Sequence, residues 1–162
     1  MKYLFRLLLV LFLFVGVMDV YSQDTTRWTG LAIPADSAWN NPANWSGSLV
    51  PGTSTVVEIL PDQQTFHIKM PDTIQIKCLR IQDIGANPIM SKVTLDGFEQ
   101  LHILAHTNIL LDNTILNGQE ILLTGNGMDF LVTGQNNWDV TSLIIAPSAY
   151  IGMMQQGWNG FV

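Results

Sequence analysis

The sequence predicts an all-β protein whose body is a right-handed parallel β-helix of about five rungs, preceded by a tryptophan-rich N-terminal cap. Two observations support this prediction. Short apolar triplets recur at a nearly constant interval, and the segments between them are rich in Gly, Asn, Asp and Pro. A fixed interval of this size is typical of a solenoid, in which each repeat is one turn of the chain. The anchor residues of the triplets, separated by 22, 22, 20 and 22 residues, are Val57, Leu79, Leu101, Ile121 and Leu143.

A β-sandwich is the alternative fold, because Asp96-Gly97 and Asn117-Gly118 are dipeptides of the kind that form two-residue hairpins. Sandwich strands recur every 8–12 residues or so, about half the interval between the anchors. Weaker apolar runs lie between the anchors, as at 93–95 and 130–132. We therefore favour the β-helix and expect the five anchors to lie in a single column, with neighbours about 4.8 Å apart.

Residues 1–22 have the features of a cleaved signal peptide. Lys2 and Arg6 give a positively charged start, an apolar run covers 7–17, and Val20 and Ser22 provide the small residues of a cleavage site. An uncleaved membrane anchor is the alternative, but the run is shorter than the roughly 20 residues that cross a bilayer. We expect a secreted or cell-surface protein that begins at residue 23, with no stable membrane insertion after cleavage.

The mature chain is predicted to comprise a cap over 23–54 and solenoid rungs over 55–162. Three of the five tryptophans lie in the cap segment, which suits the need of a solenoid to cover the apolar face and open strand edges of its first rung. At the other end, the next anchor would fall just beyond residue 162, and the tail around Trp158 and Phe161 is apolar but irregular. We expect that end to be covered by the remainder of a longer chain or by a second copy.

Charge excludes several classes of partner. The full chain has a formal net charge of −6, and removing Lys2, Arg6 and Asp19 with the signal peptide leaves 5 basic and 12 acidic residues, a net charge of −7. An acidic chain without a basic cluster repels nucleic acid backbones and anionic membranes. The single cysteine, Cys78, excludes an intrachain disulfide, and its apolar neighbours predict a buried thiol.

The sequence predicts no catalytic site, no cofactor and no metal site. His102 and His106 are four residues apart, but in a strand that spacing is about 13 Å, too far for a shared ion. Lys77, Arg80 and Asp83 form the nearest approach to the mixed charge cluster of a carbohydrate enzyme, and nothing further completes it. We therefore expect a protein that is not an enzyme.

Two kinds of residue have an open interpretation. Trp39 and Trp45 could form a platform on which a sugar ring stacks, although packing within the cap is the favoured interpretation. Asparagines near the predicted corners, including Asn113 and Asn136, could form amide ladders, although turn capping is favoured.

The N-terminal motif resembles the start of large secreted bacterial β-solenoid proteins, of the adhesin-like kind exported by type IX secretion. There a pattern W-x-G followed by D-x-x-W-x-N-x-x-N-W-x-x-G-x-x-P precedes V-x-I strands; the opening of the G8 domain is similar. In this chain Ser48-Leu49-Val50 lengthens the step from glycine to proline, and 122–134 resembles a glycine-rich rung of the same proteins. The residues that match the motif are Trp28, Gly30, Asp36, Trp39, Asn41, Asn44, Trp45, Gly47 and Pro51.

The resemblance implies a non-enzymatic structural or adhesion module at the N-terminal end of a β-solenoid. The alternative is a carbohydrate-binding module, or an inactive remnant of a polysaccharide-degrading β-helix protein. Extracellular glycans or cell-surface components are the partners that it implies.

Overall fold

The computed structural model describes residues 24–32, 36–62, 64–82, 84, 92–104, 109–125, 128–134, 136–146 and 151–155. The predicted signal peptide and the tail residues Trp158 and Phe161 lie outside these ranges. Within them, no helix is long and apolar enough to cross a membrane. The secondary structure consists of a 3₁₀ helix at Pro42–Asn44 and strands β1 (Asp24–Arg27), β2 (Thr55–Ile59), β3 (Thr65–Lys69), β4 (Thr73–Ile76), β5 (Cys78–Ile81), β6 (Lys92–Ile103), β7 (Ile109–Asp112), β8 (Thr114–Leu123), β9 (Met128–Thr133), β10 (Asn137–Ile145) and β11 (Ile151–Gln155).

The strands form two parallel sheets, so the predictions of an all-β chain and of parallel pairing are confirmed. The first sheet has six strands in the order β1-β2-β5-β7-β9-β11. The second has the order β10-β8-β6-β3, and β4 pairs with β6 beyond the end of β3. From β2 onward the chain passes alternately between the sheets, and each named strand pairs in parallel with a strand from an earlier or later pass.

The hairpins of the sandwich alternative do not form. Asp96-Gly97 lies inside β6 and Asn117-Gly118 lies inside β8, and the two strands run in parallel with Asp96 opposite Asn117. The register shifts between Asp96 and Phe98, where Gly97 has φ +89°. A glycine tolerates this conformation without strain. The strand therefore continues past the turn-like dipeptide and buries Phe98, which is 1% exposed, instead of reversing direction.

The single column of five anchors is wrong at one step. Val57 pairs with Leu79 in the first sheet, whereas Leu101 pairs with Ile121 in the second, so the predicted series crosses from one sheet to the other. The neighbour of Leu101 on the β4 side is Ile74. The second-sheet column is Ile74, Leu101, Ile121 and Leu143, and a first-sheet column is Ile59, Ile81, Leu111 and Val132.

The interval between stacked residues is less regular than the interval between anchors. It is 27 residues from Ile74 to Leu101 and 30 from Ile81 to Leu111, but 20 from Leu101 to Ile121. Both sheets turn Val, Leu and Ile toward the same core, so equal spacing along the sequence does not reveal which sheet an apolar residue belongs to. Longer connections in the early passes were hidden by this similarity.

The core lies between the two sheets and continues into the N-terminal tryptophans. Residues at the inward positions, such as Val56, Ile76, Leu95 and Ile103, are at most 1% exposed. Cys78 is fully buried in the same cluster, which confirms the predicted packing of its thiol.

Gly118 provides the space in which the Phe98 ring packs. A Cβ atom added to Gly118 would lie 2.5 Å from the Cδ2 and Cζ atoms of that ring. We expect Gly118→Ala to lower the free energy of unfolding by about 1–3 kcal/mol, as overpacking does in a close-packed core. Urea denaturation measures the loss. Gly52→Ala is the control because nothing lies within 4 Å of its added Cβ, and equal destabilisation of both variants would contradict the steric explanation.

Candidate functional site

The three N-terminal tryptophans form one packed cluster. The ring centroids of Trp28 and Trp45 are 5.0 Å apart and those of Trp39 and Trp45 are 4.7 Å apart, both in edge-to-face geometry. Trp39 is 1% exposed and Trp45 is 2% exposed. The indole Nε1 of Trp45 donates a hydrogen bond of 2.7 Å to the carbonyl oxygen of Trp39. Neither ring presents a face to solvent, so the hypothesis of a sugar-stacking platform on these two residues is not supported.

Asn44 organises the backbone around this cluster. Its side chain is fully buried, and its Nδ2 donates to the Asp36 carboxylate at 2.9 Å and to the Ala38 carbonyl at 3.1 Å. Its Oδ1 accepts from the Ala32 amide at 3.1 Å, and its backbone oxygen accepts from the Thr29 amide at 2.8 Å. A buried amide with its donors and acceptors satisfied specifies one local conformation. Asn44 thus joins three separate parts of the motif.

Asp36 and Asn41 form the solvent-facing side of the same network. The Asp36 carboxylate accepts from Asn41 Nδ2 at 2.7 Å and from the Ala38 amide at 3.0 Å. Asn41 also caps the 3₁₀ helix, because its Oδ1 accepts from the Ala43 amide. These hydrogen bonds, that from Asn41 first and that from Ala38 second, lower the pKa of Asp36 below the usual value of a carboxyl group.

The lowered pKa of Asp36 predicts acid sensitivity of the tryptophan cluster. Its folded-state pKa is below its unfolded value, so its stabilising contribution is present above the ordinary carboxyl pKa and is lost as pH falls through the folded value. We expect the melting temperature to fall more in the native protein than in Asp36→Asn between about pH 6 and about pH 3. Near-ultraviolet circular dichroism of the tryptophans follows the transition. Equal acid sensitivity in the two proteins would contradict this role.

The remaining motif residues place the segment at the first edge of both sheets. β1 pairs with β2 in the first sheet, and Ala38 bridges Lys69 at the end of β3 in the second. Gly30 has φ +63° close to the Trp28 indole, and Pro51 is buried just before β2. The motif therefore contributes backbone partners to each sheet as well as apolar cover, and the order β1-β2 makes the segment part of the first sheet.

The charged residues proposed as a weak catalytic group do not meet in the described residues. Arg80 lies near Glu58, with 3.8 Å between its Nη1 and Oε1 of the carboxylate, and Arg27 Nη2 is 3.2 Å from Oε2 of the same carboxylate. These residues are register partners on three adjacent strands. Asp83 lies outside the described residues. Glu58 thus links two arginines across the first sheet, an arrangement that stabilises neighbouring strands modestly.

The described histidines belong to similar cross-strand contacts. His67 Nε2 is 3.2 Å from Asp96 Oδ2, and Asn117 donates to the other oxygen of that carboxylate at 3.3 Å. His102 Nε2 lies 2.8 Å from Thr124 Oγ1, and burial lowers the pKa of His102. His106 lies outside the described residues. Among the residues that the structure describes, no three His, Cys, Asp or Glu side chains are grouped to hold a metal ion.

Asparagines cap the corners between the sheets, in agreement with the favoured interpretation. The Asn136 Oδ1 accepts from the Thr114 amide at 2.9 Å, and its Nδ2 donates to the Thr133 carbonyl at 2.6 Å. Asn113 has φ +49°, a left-handed conformation that asparagine tolerates better than most residues. One buried side chain, that of Asn136, thus connects the corner after β9 to the corner that precedes β8.

The outward surface of the second sheet carries polar rows that the sequence analysis missed. Two successive polar residues precede the inward leucine or isoleucine in each of three strands: Glu99-Gln100 in β6, Gln119-Glu120 in β8 and Thr141-Ser142 in β10. Thr73 continues one row into β4, since it is the register partner of Gln100. Together these side chains line an open groove of about 400 Å³. The signal was present in the sequence as a polar pair immediately before each apolar triplet.

Comparison with protein-family models, with curated proteins and with solved structures found no match for this chain.

Proposed function

We propose that this chain is the capped N-terminal part of a right-handed β-solenoid and serves as a secreted or cell-surface structural and adhesion module. The observation that carries the proposal is the alternation of the chain between two parallel sheets, with an apolar column repeated in each. Strands that return to the same sheet after 20–30 residues suit a coiled path around one core. The signal-like segment 1–22 supports export.

The position of the tryptophan motif supports a capping role. β1 and Ala38 lie at the edge of the first and second sheet respectively, on the side from which the columns start. Uncovered parallel edges invite pairing with other chains, so a cap that occupies them favours a defined starting point. From there the columns run toward β10 and β11, the last strands of the two sheets in the described chain. The remainder of a longer chain, or a second copy, is the partner that we propose at that end.

The engagement of the charged side chains favours a structural role over a catalytic one. Glu58 bridges two arginines, Asp96 accepts hydrogen bonds from neighbouring strands, and Glu120 accepts from Gln100 at 2.6 Å. Each carboxylate thereby joins adjacent strands of a sheet. A general acid or nucleophile instead needs a partner positioned for proton transfer beside an accessible reacting centre.

An adhesion assay with a parallel hydrolysis assay tests this proposal. Beads coated with the mature chain, residues 23–162, are washed over immobilised bacterial and plant polysaccharides and over bacterial cells, and the soluble products are assayed for new reducing ends. We expect retention of the beads on at least one surface without release of reducing ends. Beads coated with denatured chain are the control. Depolymerisation that disappears in a folded Glu58→Gln or Glu120→Gln variant would contradict the proposal.

A further inference from the structure

The groove on the second sheet is built by a local break in the alternation of the strands. In β6, Phe98 and Leu101 face the core, and the two residues between them, Glu99 and Gln100, face solvent. A regular strand would turn one of these two toward the core. β8 and β10 repeat the arrangement one strand spacing further along, so the outward pairs form two adjacent rows across the sheet.

Register and hydrogen bonds hold one of these rows in place. Thr73, Gln100, Glu120 and Ser142 are successive register partners on β4, β6, β8 and β10. Gln100 Nε2 donates to Glu120 Oε1 at 2.6 Å, and Ser142 Oγ lies 3.5 Å from Glu120 Oε2. The half-buried row is therefore fixed in position before any ligand arrives, which lowers the entropy cost of binding.

The second row is exposed and offers hydrogen-bonding groups to solvent. It consists of Glu99, Gln119 and Thr141, which supply a carboxylate, an amide and a hydroxyl at successive strand spacings of about 4.8 Å. Amide and hydroxyl groups both donate and accept hydrogen bonds, whereas a carboxylate only accepts. None of the groove-lining residues is basic or aromatic.

We propose that this groove binds a neutral glycan chain, laid across β4, β6, β8 and β10 with its hydroxyl groups bonded to the two rows. Sugar hydroxyls both donate and accept, so they match a surface that mixes carboxylates, amides and hydroxyls. The two glutamates, without a basic residue in the lining, disfavour uronate or sulfated polymers through like-charge repulsion. A linear polymer suits the groove because the binding groups recur along one direction. The inference rests on the proposed adhesive role and assigns the surface that performs it.

Isothermal titration calorimetry of the mature chain tests the groove, with cello-, xylo-, manno- and chito-oligosaccharides as neutral probes and oligogalacturonate as the anionic probe. We expect at least one neutral probe to bind and oligogalacturonate not to bind. Glu99→Ala/Gln119→Ala is expected to weaken binding about tenfold, as the loss of two hydrogen-bonding side chains would. Both residues are exposed, so this variant should keep its fold. Gln82→Ala, an exposed glutamine after β5 of the first sheet, is the matched control and should bind normally.

Three results would overturn the inference: no binding of any neutral probe, binding that the double variant leaves unchanged, or a preference for oligogalacturonate. The bead assay separates these failures from a failure of the proposed function. Native beads that adhere, together with double-variant beads that adhere equally, refute the groove and leave the adhesive role intact. Native beads that do not adhere to any surface contradict the adhesive role itself.

Discussion

Leu101→Asp is expected to leave the protein largely unfolded at room temperature. Leu101 is 1% exposed and stacks between Ile74 and Ile121 in the middle of the second-sheet column. An aspartate there would bury an unpaired charge and remove apolar packing at once, a combination that costs about 4–5 kcal/mol or more. A domain with a total stability of about 5–15 kcal/mol loses most of its margin to such a change.

Far-ultraviolet circular dichroism and urea denaturation measure this effect. Leu49→Asp is the matched control, because Leu49 is 73% exposed and the same substitution there should change stability by less than about 0.5 kcal/mol. A Leu101→Asp protein with a near-native urea midpoint would mean that the second-sheet column is not a core.

Trp45→Ala is expected to destabilise the protein by about 3–5 kcal/mol, the range found for large aromatic side chains removed from cores. Trp45 is 2% exposed, packs edge-to-face against both Trp28 and Trp39, and donates its indole hydrogen bond to the Trp39 carbonyl. Its removal opens a cavity at the centre of the cluster and leaves that carbonyl without its indole donor.

Trp45→Phe separates the two contributions, since it keeps an aromatic ring and removes only the indole donor and part of the volume. We expect it to fall between the native protein and Trp45→Ala in thermal and urea denaturation. A Trp45→Ala protein that stays fully stable but loses binding to an oligosaccharide would restore the sugar-stacking hypothesis.

The period of the apolar triplets was sufficient to predict parallel pairing but not the stacking of individual residues. Leu101, Ile121 and Leu143 stack as the spacing of 20 and 22 residues predicts. Leu79 belongs to the other sheet, because the chain makes two short strands, β3 and β4, before β5 and a longer connection after it. Leucine and isoleucine face the shared core from both sheets, so hydrophobicity alone does not distinguish the sheets.

The candidate site was predictable only in part for a different reason. Packing of the tryptophans was the favoured interpretation, and their burial agrees with it, but the central role of Asn44 depends on three-dimensional contacts with Ala32, Asp36 and Ala38. The polar rows depend on the register of β6, β8 and β10, which a sequence does not specify. Turn chemistry was misleading at Asp96-Gly97, where burial of Phe98 outweighed the local hairpin preference.

Disulfide trapping tests the parallel register most directly. In a Cys78→Ala background, Thr94→Cys/Ile115→Cys places thiols on register partners of β6 and β8, whereas Thr94→Cys/Glu99→Cys places them where a hairpin at Asp96-Gly97 would bring them together. A disulfide needs Cα atoms within about 7 Å, and residues five apart along an extended strand are separated by about 16 Å. Under mild oxidation, followed by mass spectrometry of folded monomer, we predict a bond in the 94/115 protein and none in the 94/99 protein. A bond in the 94/99 protein alone would contradict the parallel two-sheet fold.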